Sequence, residues 1–175
     1  SSAEINTDNL SPKAMIAEIK DKIKDGDPFL ESNELIDCVK LEPNEITDRE
    51  DLSIVVCNPT KKKEKVFSFS YYTYTVKTDP MNYNVERKLA DFQFIYQKLP
   101  LLNPGIFNPL LPDFQIGLKD DSPKKLLYLQ EYMNSLIEIK YFRSLPIIFD
   151  FLTLPLDTWI KIRKENYEKI KFRYS

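Results

Sequence analysis

Histidine is absent from this chain, and with it goes the side chain that titrates nearest neutral pH and most often serves as general base or metal ligand. Glycine is almost as scarce. Gly26, Gly105 and Gly117 stand far apart, so neither glycine-rich pattern that cradles a phosphate can be written. The two cysteines, Cys38 and Cys57, are nineteen positions apart with no CxxC pair. That spacing supports neither a zinc site nor a thiol relay, and it suits a reducing compartment. The longest apolar runs, such as LPIIFDFLTLPL, are too short and too interrupted to span a bilayer. These omissions lead us to expect no enzymatic chemistry, no catalytic residues, no metal and no cofactor. The chain should act by binding.

What is present is an uneven distribution of charge. Residues 1–51 carry 14 acidic and 6 basic side chains, residues 52–157 carry 11 and 13, and residues 158–175 carry 2 and 6. An acidic extension therefore precedes a near-neutral domain and a basic end. With no basic stripe to neutralise a phosphate backbone, nucleic acid is not expected as a partner.

In the extension, Ser11-Pro12 signals a helix start and Gly26 a stop, with Met15, Ile16, Ile19 and Ile23 as a narrow apolar stripe. Such a helix is marginal unless it docks, so the segment is expected to pack back across the sheet. Asp27 to Asp51 follows as an extended wrapper. Within it Asp27-Pro28-Phe29 and Glu31 to Ile36 resemble short trafficking signals, although a turn with buried anchors explains them more simply.

Leu52 to Cys57 and Val66 to Lys77 are β-branched and aromatic runs. Asn58-Pro59 and a tip containing Lys61, Lys62, Lys63 and Lys65 separate them, which predicts a hairpin. Tyr83 to Lys88 is the expected third strand, after a turn at Asp79-Pro80. Phe92, Ile95, Tyr96 and Leu99 then recur with helical period. Pro100, Pro104, Pro109 and Pro112 predict an extended arm from Leu99 onward, because proline fixes φ and lacks a backbone donor. Ser122-Pro123 opens the strongest helix, with Leu126, Leu129, Met133, Leu136 and Ile137 on its apolar face. Ser144 is expected to cap a helix containing Ile147, Ile148, Phe151 and Leu152. Asp157 is expected to cap a last, basic helix from Thr158 to Arg173, which either docks through Trp159 on the domain or serves as the stalk into a longer region.

The order of these elements and the motif Arg87-Lys88-Leu89-Ala90-Asp91-Phe92, followed by Asn103-Pro104-Gly105 and Pro109-Leu110-Leu111-Pro112, resembles the phox-homology (PX) domain of sorting nexins. The resemblance covers about Leu52 to Leu154. It implies an α+β fold in which a three-stranded antiparallel sheet packs on a helical subdomain, with a proline-rich arm between them and helical extensions at both ends. Three regions follow: an acidic extension at 1–51, a PX-like domain at 52–155 and a basic helix at 156–175.

The resemblance also implies a candidate phosphoinositide site made of Arg87, Lys88, Leu89 and Lys125. Arg87 matches the family's mainly structural first arginine, and Lys88 the arginine that grips the 3-phosphate. Leu89 replaces the tyrosine that floors the inositol ring, and Ala90 stands where a serine usually caps the helix. Lys125 matches an arginine early in the next helix that contacts ring hydroxyls. Phe114 takes the place of a lysine that reaches the 1-phosphate. Phe114, Ile116 and Leu118 form the candidate membrane-insertion loop.

The implied function is that of a membrane-trafficking module, cytoplasmic and peripheral on endosomal membranes. It would bind phosphoinositide-containing bilayers and protein partners of the trafficking machinery. The alternative is a PX-like fold kept for protein interaction or assembly, with a degenerate lipid pocket.

Overall fold

Alternating β-branched and aromatic residues give one apolar face to each of three strands, and that face is what the rest of the chain covers. The computed structural model describes residues 41–66, 69–102, 108–109, 111 and 118–169. The helix expected from Ser11, both signal-like fragments, most of the proline arm, and Phe114 and Ile116 lie outside the described residues.

Strands β1 (Ser53–Lys63), β2 (Ser70–Asp79) and β3 (Tyr83–Lys88) form one antiparallel sheet in the order β1-β2-β3. Ile54, Val56, Tyr74, Val76 and Val85 point from it into the core. Strand β3 has the bounds its alternation predicts. Strand β1 does not stop at Cys57 as expected. It continues through Asn58-Pro59, because an extra residue is absorbed as a bulge between the pairs Cys57↔Thr75 and Thr60↔Thr73. Asn58 takes φ 49°, a left-handed value that asparagine tolerates better than most residues. Lys61, Lys62 and Lys63 consequently belong to the strand, and the tip begins at Glu64.

Helix α1 (Leu89–Leu102) buries Phe92, Ile95, Leu99 and Leu102, spaced three, four and three apart. It runs through Pro100, where an extended arm was expected. A proline so near the end removes one backbone bond in the last turn and leaves the preceding turns intact. The start of α1 also differs from expectation. Ala90 is the second helical residue, and Asp91 reaches back from the third position to accept the Lys88 N–H at 2.7 Å. That is the returning half of a capping box, so no serine is needed here.

Helix α2 (Pro123–Ile137) starts as predicted, with Ser122 Oγ accepting the Lys125 N–H at 3.1 Å and Pro123 in the first turn. A one-turn helix, α3 (Lys140–Arg143), was not foreseen. Ser144 closes this turn instead of capping the next one. Its hydroxyl donates to Lys140 O at 3.0 Å, while Leu145 occupies the cap position of α4 (Pro146–Thr153). Pro155, not Asp157, precedes α5 (Leu156–Ile162), which places Asp157 in the first turn. Helix α5 widens into a π turn at Arg163–Tyr167.

The core is one cluster reaching from Ile46 to Tyr167. Edge-on ring contacts run through it: Tyr74 to Phe92 at 6.3 Å, Phe92 to Phe151 at 5.3 Å, and Phe151 to Trp159 at 5.4 Å between centroids. Each such pair contributes roughly 0.5–1.5 kcal/mol beyond its buried area, so the chain of rings ties β2, α1, α4 and α5 together. Trp159 is fully buried and docks the last helix on the domain.

The end of the acidic extension is fixed as well. Asn44 Nδ2 donates to Arg143 O at 2.8 Å, Arg143 Nε donates to Thr47 O at 3.1 Å, and Ile46 enters the core. Residues 41–49 thus dock on α3. Among the described residues, no helix is long and apolar enough to cross a membrane.

Candidate functional site

Arg87, Lys88 and Leu89, three of the four candidate residues, lie where β3 hands over to α1. Because β3 alternates, its two adjacent cations leave on opposite faces: Val85 and Arg87 inward, Glu86 and Lys88 outward. One basic pair in sequence is therefore two separate features in space.

Arg87 is fully buried. Its Nη1 donates to Glu86 O at 2.6 Å, and its Nη2 to Leu154 O at 2.6 Å and Asp150 O at 3.3 Å. The guanidinium lies 5.3 Å from the ring centre of Phe151 and 5.2 Å from that of Trp159. Two of the accepting carbonyls belong to the C-terminal end of α4, where the helix dipole favours a cation. Burial pulls the Arg87 pKa down to about 10, opposed by the charges of Asp91 and Asp150. Arg87 therefore joins β3 to α4 and has no path to a ligand in solvent.

Lys88 is half-buried on the outer face, with its ammonium 4.3 Å from the centre of the Tyr71 ring. Thr73 is its cross-strand partner. Nearby, Lys62 and Glu86 pair at 2.8 Å across the same face. The hydrogen bond that Lys62 donates to Glu86 raises the Lys62 pKa against a smaller desolvation. Among the described residues no carboxylate pairs with Lys88. A cation resting on an aromatic face and open on one side remains available to a phosphate oxygen. Leu89 follows as the first residue of α1, partly buried against the core, and supplies an aliphatic surface.

Lys125 is engaged elsewhere. Only 3% of its side chain is exposed, and its Nζ meets Asp120 Oδ1 at 2.5 Å. Asp120 is held from behind, since Tyr74 Oη donates to its main-chain oxygen at 2.8 Å. A buried ammonium with a charged partner is stable, whereas one stripped of its partner is costly. An incoming anion would have to displace Asp120.

Of the candidate insertion loop only Leu118 is described, and it packs partly buried against the core. Lys88 and Lys125 make different contacts, the Tyr71 ring for one and Asp120 for the other.

Two features escape sequence reasoning. Asp91, itself buried, accepts Arg163 Nη1 at 2.6 Å as well as the Lys88 N–H, and the Arg163 guanidinium stacks 5.2 Å from the centre of Phe94. One cation of the basic terminal helix is therefore consumed in anchoring α5 to α1. The second is the exposure of Val66 and Phe69 at the β1–β2 tip. Periodicity would have shown the burial of Lys125 and the partial burial of Arg163, because each shares a face with apolar neighbours. Lys125 precedes Leu129 and Tyr132 by four and seven positions, and Arg163 follows Trp159 by four.

No protein-family model matches the chain, and no curated protein matches it at a significant level.

Proposed function

We propose that this chain is a non-enzymatic, PX-like module of a membrane-trafficking protein of the sorting-nexin kind. In this reading it is cytoplasmic and peripheral on endosomal membranes, and it meets phosphoinositides through an altered pocket. The strand order, the turn into α1 and the inward-facing Arg87 support the PX-like reading. One observation carries the functional part: of the three cations at the candidate site, Lys88 alone has no anionic or carbonyl partner for its side chain among the described residues.

A pocket with one available lysine attracts phosphate as charge. It lacks the planar fork by which arginine selects a geometry. The module therefore binds anionic headgroups weakly and discriminates poorly among them. Sedimentation with vesicles carrying each phosphoinositide in turn, for the wild type and Lys88→Ala, tests this. Comparable weak binding to several lipids, lost in the variant, is the expected result.

The second reading, a PX-like fold used for protein interaction or assembly, is favoured by the Lys125–Asp120 pair, which closes one headgroup position from within. Binding to none of the vesicles would select it.

A further inference from the structure

A cleft of about 390 Å³ opens between residues 49–52, where the docked extension runs into β1, and the end of α2 with α3. Arg143 contributes to its lining although that residue is only 5% exposed. Two of its nitrogens are occupied: Nε donates to Thr47 O at 3.1 Å and Nη1 to Ile137 O at 2.6 Å. Ile137 ends α2, so the second bond offsets the negative end of that helix. Nη2 has no hydrogen-bond partner among the described residues and, unlike Arg87 Nε, is not sealed from solvent. Among the described residues no carboxylate pairs with Arg143. A guanidinium buried this far normally has its donors satisfied, and here one nitrogen is left to the cleft.

The rest of the lining selects the kind of anion. Leu52 and Ile137 supply apolar wall. Arg49 and Lys140 add positive charge, each already shared with an exposed acid, Asp51 at 3.1 Å and Asp48 at 2.7 Å. Glu50 and Glu138 also line the cleft, and both are exposed. Three lining cations against two lining carboxylates leave one positive charge unmatched. A single negative charge is therefore attracted, and a second one meets Glu50 and Glu138.

We infer that this cleft binds a monoanionic carboxylate carried on a small aliphatic body, with the carboxylate on Arg143 Nη2 and the aliphatic part against Leu52 and Ile137. Arginine suits the task, because its donors match carboxylate geometry and its charge persists when buried. The volume lies near the lower end of ligand pockets, which suits a short free acid or the last residue of a partner's chain. Ile137 stands twelve residues beyond Lys125, about 18 Å along α2, so this site is separate from the proposed headgroup site and goes beyond that reading.

The test uses the whole chain and follows the Arg143 side-chain Nε–H resonance by NMR. Four probes are added in turn: isovalerate, inorganic phosphate, acetyl-Gly-Gly-Leu with a free C-terminus, and the same peptide amidated. A saturable shift with either carboxylate, and none with phosphate or the amide, is the expected result. Tighter binding of the peptide assigns the end of a partner chain, and tighter binding of isovalerate assigns a free acid. Arg143→Lys would also lose the bonds to Thr47 and Ile137, so variants at the rim carry the test. Glu138→Gln should tighten binding and Arg49→Gln should loosen it, each by about two- to fivefold. No saturable shift with either carboxylate, an equal response to phosphate or the amide, or an affinity that neither variant alters overturns the inference. Binding to vesicles reads a different surface and is unaffected by that outcome.

Discussion

The carboxamide of Asn134 takes the place of a neighbouring strand for Ile54: its Oδ1 accepts the Ile54 N–H at 2.9 Å and its Nδ2 donates to Ile54 O at 3.1 Å. Ile54 lies on the outer strand of the sheet, so its main-chain groups would otherwise point at an open edge. A side chain on α2 thereby both fastens the helix to β1 and blunts the strand. Asn134→Ala removes both bonds and should destabilise the protein by about 1–3 kcal/mol in urea unfolding. It should also raise the tendency to self-associate, read by light scattering. A variant as stable as the wild type would show that water replaces the amide without loss.

Arg87 is expected to matter for stability and not for lipid. Arg87→Ala leaves the carbonyls of Glu86 and Leu154 without their donor and opens space between Phe151 and Trp159. The cost should be about 3 kcal/mol or more. Arg87→Lys should recover little, since a compact ammonium cannot reach two separated carbonyls while stacking between rings. Chemical denaturation measures both, and full rescue by lysine would contradict the assigned geometry.

Tyr83 links the sheet to the end of the acidic extension by donating to Glu45 Oε2 at 2.5 Å. Burial, helped by this bond, pushes the Tyr83 pKa up to about 12 from 10.0. The folded phenol therefore holds its proton more tightly than the unfolded one. Its contribution is complete below pH 10 and is lost as pH rises through about 12. The gap in Tm between wild type and Tyr83→Phe should be constant up to pH 10 and narrow above it. A gap independent of pH would count against the Glu45 contact.

The pairing of Lys125 with Asp120 gives a variant that should gain function. Asp120→Ala removes the carboxylate that the Lys125 ammonium meets at 2.5 Å. Stability should fall by about 1–3 kcal/mol, while affinity for phosphoinositide vesicles should rise by a factor on the order of a few. Unchanged binding would place Lys125 outside the lipid site altogether.

Much of the frame is legible in sequence where one local signal decides. Tyr83 to Lys88 reads as a strand because alternation fixes which side chains turn inward, and Ser122-Pro123 opens α2 because the cap and the fixed φ agree. The misreadings arise where tertiary packing overrides a local breaker. Asn58-Pro59 looks like a turn, yet a bulge lets β1 pass. Pro100 looks like a stop, yet Leu102 just beyond it is buried and the helix continues to reach it. At the candidate site, sequence names the cations but not their occupants. The claim of Asp91 on Arg163 and of Leu154 O on Arg87 each depends on elements that only the fold brings together, while that of Asp120 on Lys125 is a local contact five residues back across the start of α2. For that reason the sequence shows a basic cluster where the structure leaves Lys88.

The most direct test of this account is the partitioning of the wild-type chain onto vesicles bearing single phosphoinositides, measured at low and at raised ionic strength. Attraction through lysine point charges should give weak binding to several of these lipids, falling steeply as salt is added. Tight, salt-insensitive binding to a single phosphoinositide would contradict it.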